Sequence, residues 1–404
     1  MNEIDLITNR DIVIVGQQPW DVEIGSNCKN IAIEFSKHNR VLYVNSPLDR
    51  ITKFKSKDDP KIRKRIDIIK GRQEALININ KNLFNYYPDE IIESINWIKN
   101  DFVYTFLNKI NNKRFARSIK RAIDKLGFKD IILFNDNDIF RCFHLKELLK
   151  PLLSIYYSRD YLLSVDYWKL HGTKLEPQLI SKSDLCVANS IYLADYCKQY
   201  NKNSYYVGQG CDLEAFSNKQ KLSIPADVLN IPKPIIGYVG ALQSIRLDID
   251  LIAYIARQRP AWSIVLVGPE DEQFKVSILH QIPNLFFLGA KSPEMLAQYI
   301  HSFTVCFNPQ LINQVTIGNY PRKIDEYLAM GKPVVASKTD TMSIFSEHVY
   351  LATTKEDYIA LIDQALAEDS ETKRVARINF ATTHTWENNV LEIYKAISKL
   401  QDKV

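Results

Sequence analysis

The chain lacks any run of about 18 apolar residues, so no segment reads as a membrane-spanning helix. Cysteine is present but never organised. The six thiols at 28, 142, 186, 197, 211 and 306 form no Cys-x-x-Cys pair and no Cys/His cluster with zinc spacing. The opening MNEIDLITNRDIVIVG has no basic-then-apolar leader, so the expectation is free thiols in a reducing cytoplasm. A charge imbalance is nearly absent as well. Lys plus Arg number 52 against 47 for Asp plus Glu, and the net +5 is too small to make nucleic acid the partner. Glycine is scarce, with 13 in 404 residues, well under the usual share of about 7%. The Gly-x-Gly-x-x-Gly fingerprint is missing after Val15 and after Val239, which argues against a nicotinamide enzyme.

What is present is globular: 46% apolar and 25% charged residues, in a length that suits two or three domains. Short β-branched runs alternate with helix-length segments. Strands are predicted at 12–15, 40–45, 131–135, 153–157, 185–189 and 205–208. The pattern then restarts at 235–240, 263–268, 285–288, 305–308 and 334–337. The runs are apolar throughout rather than alternating, as parallel strands covered on both faces require. The fold class is therefore α/β, with two doubly wound, Rossmann-like domains. The polar stretch SNKQKLSIPADVLNIPKP, with three prolines, separates them. Expected boundaries are 1–215, a linker at 216–233, a second domain at 234–384 and a C-terminal helix at 385–404. Segment 61–126 reads as mostly helical and packed outside the first sheet. Gly16, Gly240 and Gly268 close predicted strands, and Gly289 and Gly331 stand at element junctions.

The most informative stretch is NPQLINQVTIGNYPRKIDEYLAMGKPVVAS, 308–337. A strand ends at Asn308, a polar loop follows, and a helix opens near Pro321, where a missing N–H costs nothing. Lys323 and Glu326 stand three apart and share a helical face beside an N-terminus suited to phosphate. A surface ion pair is the plainer alternative. In the first half, Asn135-Asp136-Asn137-Asp138 and Arg159-Asp160 each follow a strand, where ligand groups gather in open α/β sheets. A carboxylate there could orient or deprotonate a hydroxyl. Asp136-x-Asp138 also mimics a short metal-binding motif, but turns favour Asp and Asn anyway, and no metal is assigned. His38, His144, His171 and His384 are scattered and suggest packing or surface positions. Segment Arg50–Arg72 holds ten basic and three acidic residues interleaved with Phe54, Ile62, Ile66, Ile68 and Ile69. It is a candidate for peripheral contact with an anionic membrane leaflet, against the plainer reading of a solvated face.

Pro321, Lys323, Glu326, Tyr327, Leu328, Ala329, Gly331, Lys332, Pro333, Val334 and Val335 resemble, one by one, the nucleotide-sugar signature P-x-K-x-x-E-Y-L-A-x-G-K-P-V-V. That signature marks GT-B glycosyltransferases of the family 4-like group, and the likeness is nearest its teichuronic acid and exopolysaccharide branch. More loosely, YVGALQSIRLDIDLIAYIARQRPAWSIVLVGP resembles the donor domain, and NIAIEFSKHNRVLYVNSP and SKSDLCVANSIYLADYC the acceptor domain. QGCDLEAF stands for NGVDxxxF, and THTWENNVLEIY for the start of a helix that crosses back to the first domain.

The resemblance implies two domains facing a cleft and retaining transfer of a sugar from a nucleotide-diphosphate sugar, with UDP ahead of GDP. The acceptor would be a hydroxyl of a glycan or lipid-linked saccharide in surface polysaccharide assembly. No cofactor or metal is implied beyond the donor itself. It makes Lys323 and Arg246 the diphosphate clamp and Glu326 the ribose ligand. Gly25, Gly240, Gly268, Gly289, Lys291, Asn308, Thr316, Asn319 and Pro321 would complete the donor site. Asn135, Asp136, Arg159 and Asp160 would bind the acceptor, with Asp136 and Asp160 as catalytic carboxylates. Two departures stand out: Gly318 occupies the place of the family's first glutamate, and Ala241 that of a basic residue. They keep open a catalytically inactive binding module, and a nucleotide-sugar epimerase of the same fold is a further alternative.

Overall fold

The computed structural model describes residues 6–21, 26–216 and 222–401. They fall into two compact units, Met1–Gly208 with Asn389–Val404, and Gln209–Asn388.

In the first unit, beside a small pair Leu48–Asp49 and Ile91–Ile92, the main strands are β1 (Asp11–Val15), β2 (Arg40–Val44), β3 (Leu76–Asn80), β4 (Leu83–Tyr86), β5 (Ile132–Asp136), β6 (Leu153–Ser158), β7 (Leu185–Ala188) and β8 (Ser204–Tyr206). They form one sheet in the order β8-β7-β6-β5-β1-β2-β4-β3. Every pairing is parallel except the antiparallel edge β3–β4. DIVIV and ILFND are buried at every position and are apolar on both faces apart from Asp11, Asn135 and Asp136 at their ends. Segment 61–126 differs from the expectation. Helices Pro60–Ile69 and Asp101–Leu126 are present, but β3 and β4 between them enter the sheet. Leu83 and Tyr86 supply the buried anchors, while Asn78 and Asn80 lie on an exposed edge strand that propensity alone disfavours. Helix Trp386–Gln401 ends in this unit. Val390, Ile393 and Ile397 are buried, and the Tyr394 hydroxyl accepts a 2.9 Å bond from Asn39.

The second unit has β9 (Ile235–Val239), β10 (Ser263–Val267), β11 (Leu285–Phe287), β12 (Val305–Asn308), β13 (Val334–Ser337) and β14 (Tyr350–Ala352). The order is β11-β10-β9-β12-β13-β14, all parallel. The chain runs outward from β9 to β11 and then returns to β12 on the other side of β9. That reversal opens a crevice beyond the carboxyl ends of β9 and β12. One face of the sheet packs Ile236, Ile252, Leu266 and Phe307, and the other Val265, Cys306, Ile324 and Leu328. Each such side chain stabilises the fold by about 1.5–3 kcal/mol. Gly268 adopts φ +153°, and a Cβ there would stand 1.9 Å from the Gly240 carbonyl oxygen. The two strand ends can therefore approach only because no side chain intervenes. Of the stretch read as linker, 217–221 lie outside the described residues, and Val228 beyond them is buried in the core of this unit.

Candidate functional site

At the crevice of the second unit, helix Arg322–Ala329 begins just after Pro321. Ile324, Tyr327 and Leu328 are fully buried beneath it. The Tyr327 hydroxyl accepts a 2.8 Å bond from the Val239 N–H and so ties the helix to the end of β9. Gly331, at φ +70°, ends the helix, and a Cβ there would meet Arg374 Cγ at 2.5 Å. With its inner face fixed, the helix turns Arg322, Lys323 and Glu326 toward a cavity of about 390 Å³. Gly240, Arg246, Asn308, Gln310, Asn319 and Pro321 line the same cavity.

Lys323 Nζ donates to the Tyr238 hydroxyl and stands 4.3 Å from that ring's centroid, so a mobile side chain is held in one position. Arg246 sits in a turn whose backbone is pinned by Leu311 N–H donating to its carbonyl at 2.9 Å. Among the described residues no carboxylate pairs with the guanidinium of Arg246 or Arg322, and Arg322 Nε is shielded from solvent without an acceptor. Burial pushes the Glu326 carboxyl up to about 7, against the pull of Arg322 and Lys323. It too has no hydrogen-bond partner among the described residues. Three cations, one reluctant carboxylate and a helix start make a hollow receptive to a polyanion, with Glu326 ready to accept hydroxyl protons. Arg322, Tyr238 and Gln310 were not singled out from sequence. Arg322 lies in the motif's variable position, and Tyr238 reads as an ordinary strand aromatic.

Several expected donor residues have other occupations. Thr316 is 1% exposed, and its hydroxyl bonds within its own loop, donating to the Leu311 carbonyl and accepting from Asn313 N–H at 3.1 Å. It closes the loop and does not line the cavity. Lys291 pairs with Asp227 at 2.8 Å and lies over Tyr299, anchoring the 225–231 stretch, so its charge is already matched. Gly268 shapes the strand ends from outside the cavity lining. The Gly289 carbonyl accepts Gly268 N–H at 3.0 Å, and no side chain crowds it. Gly25 lies outside the described residues.

In the first unit the residues read as acceptor-binding meet one another. Arg159 pairs with Asp136 at 2.8 Å and Asp160 at 2.6 Å, and bonds the Gln17 amide at 3.0 Å. Asp136 is fully buried and also accepts Gln17 N–H at 3.3 Å. Burial raises its pKa, and Arg159 opposes the shift. With no exposed surface, Asp136 cannot meet a substrate hydroxyl in this arrangement; it positions Arg159. Asn135 is likewise turned inward, its amide accepting Asp138 N–H at 2.9 Å and donating to the Asp138 carbonyl at 3.1 Å. Asp138 pairs with Arg141. Asp160, with 43% of its side chain exposed, is the carboxylate of this cluster that faces solvent. A larger hollow of about 1100 Å³ in this unit lies at the amino ends of β1, β5 and β6, by Arg10, Ile132 and Leu153, away from the end where α/β sheets hold ligands.

Residues 233–368 match the family Glycosyl transferases group 1. A curated relative from Bacillus subtilis (strain 168), TuaH, bears the name of a teichuronic acid biosynthesis glycosyltransferase. It is 26% identical over 225 residues, 52% of this chain and 56% of the relative, so the match spans about half of each. Among solved structures, sucrose-phosphate synthase from Thermosynechococcus elongatus superposes with TM-score 0.62 at 15% identity, over 98% of this chain and 100% of that one. Anabaena HepE in complex with UDP gives 0.64 at 14% identity, over 98% and 100%. The α,α-trehalose 6-phosphate synthase of Burkholderia multivorans gives 0.63 at 11%, over 98% and 97%. At such identities the likeness establishes the fold.

Proposed function

We propose, from a GT-B fold that carries a group 1 glycosyltransferase domain, that this chain moves a sugar from a nucleotide-diphosphate sugar to a hydroxyl acceptor. UDP stands ahead of GDP as the nucleotide. The acceptor is a glycan or lipid-linked saccharide in surface polysaccharide assembly, and the anomeric configuration is retained. The observation that carries this reading is the cavity at the β9–β12 crevice, where Arg246, Arg322 and Lys323 converge with Glu326. UDP in a neighbour of the same fold and the teichuronic acid relative support the choice of nucleotide and pathway.

In this reading the bond between the sugar's anomeric carbon and the diphosphate oxygen breaks, and its electron pair stays on the diphosphate. Lys323, Arg246 and Arg322 stabilise the charge that grows there, and Lys323, already held by Tyr238, needs little reorganisation to do so. These cations take the role a metal would otherwise fill. Glu326 holds the ribose, and Asn308, Asn319, Pro321 and Gly240 shape the donor pocket. The acceptor oxygen forms the new bond to carbon and gives its proton to Asp160, which Arg159 orients; the Asn137 side-chain oxygen accepts the backbone N–H of Arg159 at 2.7 Å and of Asp160 at 3.1 Å. No helix among the described residues is long and apolar enough to cross a membrane, and we place the chain in the cytoplasm, peripheral at the inner leaflet.

The test is turnover of UDP- and GDP-linked sugars with saccharide acceptors in EDTA, with the product's anomeric configuration read by NMR. Acceptor-dependent release of one nucleotide with retention is expected. An inverted product would overturn the stereochemical assignment. Binding without turnover of any donor would favour the inactive binding module that Gly318 and Ala241 keep in view.

A further inference from the structure

The basic segment Arg50–Arg72 does not present the apolar residues that sequence alone suggested. Ile68 is buried, and Ile62, Ile66 and Ile69 are partly so, which leaves Phe54, 68% exposed, as the member of that set open to water. The exposed apolar groups come from the neighbouring segments instead. Trp97 is 70% exposed, Phe102 83%, Phe106 59% and Tyr167 58%. Ile51, Trp97, Tyr167 and Leu170 border one hollow of about 510 Å³ in the first unit. Two contacts join these segments and a third fixes the Trp97 ring within its own turn. Ile51 N–H donates to Ser94 Oγ at 3.0 Å, Trp97 Nε1 donates to the Ser94 carbonyl at 2.9 Å, and Tyr104 stacks on His171 at 3.5 Å. Tyr104 faces inward, so Phe102 and Phe106, two positions either side of it, point outward from the same helix.

So many large apolar side chains bared to water in three short segments cost stability unless they meet an apolar phase. Their surroundings say which phase. Lys53, Lys55, Lys57 and Lys61 on one flank, and Lys99, Lys109 and Lys169 on the others, have no carboxylate partner among the described residues. An aromatic and aliphatic face with a lysine rim matches the interface of an anionic bilayer, where rings seat at headgroup depth and ammonium groups meet lipid phosphates. A second copy of the chain would set this rim, whose seven lysines outnumber the exposed Asp59 and Asp166 on the same segments, against itself.

We infer that the face formed by Trp97, Phe102, Phe106, Tyr167 and Leu170, rimmed by those lysines, docks the first unit on an anionic lipid surface. The inference deepens the reading of a lipid-linked acceptor, yet it is measured without turnover. The full chain is co-sedimented with vesicles of phosphatidylglycerol and phosphatidylethanolamine, and with vesicles of phosphatidylcholine alone. Binding is expected to the anionic vesicles and to fall at least about tenfold on neutral ones, since each basic contact contributes about as much as a few-fold change in partition. The double variant Phe102→Ser/Phe106→Ser should lose about tenfold or more on anionic vesicles. Neither residue packs in the core, and an unchanged melting temperature confirms the fold. Equal binding to both vesicle types, or binding unaffected by the double variant, would overturn the inference. So would concentration-dependent dimerisation abolished by the same variant without any vesicle binding. Failure of donor turnover with vesicle binding intact would fall on the proposed reaction and leave this surface standing.

Discussion

The two units carry the same architecture and opposite electrostatic arrangements at the carboxyl ends of their strands. In the first, Asp136, Arg159, Asp160 and Gln17 satisfy one another, Asn135 bonds the Asp138 backbone, and Asp138 pairs with Arg141. In the second, Arg246, Arg322 and Glu326 face a cavity with no partner among the described residues, and Lys323 is held by a phenol rather than a carboxylate. A closed network contributes stability and order, and an open cation set keeps its interaction free energy for a ligand. Charged residues near the strand ends of the two units therefore do different work, and pairing decides which.

Breaking the closed network should have the largest effect. Asp136→Ala leaves Arg159 buried without its main partner and is expected to cost about 3–5 kcal/mol of stability, read by urea unfolding. Deeper in the same unit, Tyr156 donates to buried Glu176 at 2.7 Å and Tyr196 at 3.3 Å. Burial pushes the Glu176 carboxyl up to about 7, although both phenols pull it down. The unfolded chain loses that proton near 4.5, so between the two values the folded state alone keeps it. Stability should fall as pH rises from about 4.5 to 7 and level off above, by about 3 kcal/mol for this group. Glu176→Gln should flatten that slope in denaturation curves taken across the range. A wild-type slope retained in the variant would show that the proton sits elsewhere.

On the open side the changes are smaller and appear in binding. Ionised Glu326 accepts ribose hydroxyls better than the protonated form, so nucleotide affinity should rise through pH 7, about fivefold, and the rise should vanish in Glu326→Gln. Titrations at pH 6 and 8 decide it. Least of all, Lys291→Ala should shift nucleotide affinity by no more than about twofold, since its charge is matched by Asp227 and it does not line the cavity.

Most of the fold was legible in the sequence because parallel strands buried on both faces leave uninterrupted apolar runs, as in IIGYV and SIVLV. β3 and β4 were not, since an edge hairpin in LININ and LFNY is short, partly polar and surrounded by helix formers. Lys323, Glu326 and Pro321 were legible through spacing on one helical face. Thr316 and Lys291 carried the right chemistry for a donor site, but their partners, Leu311 and Asp227, are set by loop packing that no local pattern records. Asp136 misled for a related reason: a strand-end carboxylate looks the same in sequence whether it faces a substrate or a buried guanidinium. The exposed Trp97 and Phe102 gave no periodic signal, because exposure at the start of a helix depends on what packs against its other side.

The central claim is that ligand affinity resides in the unpaired cations of the second unit and not in the paired cluster of the first. Calorimetric titration of UDP in EDTA into wild type, Lys323→Ala and Asp160→Ala tests it most directly. The account predicts binding to the wild type, a loss of at least about tenfold in Lys323→Ala, and wild-type affinity in Asp160→Ala. Equal affinity in wild type and Lys323→Ala, or a loss confined to Asp160→Ala, would contradict it.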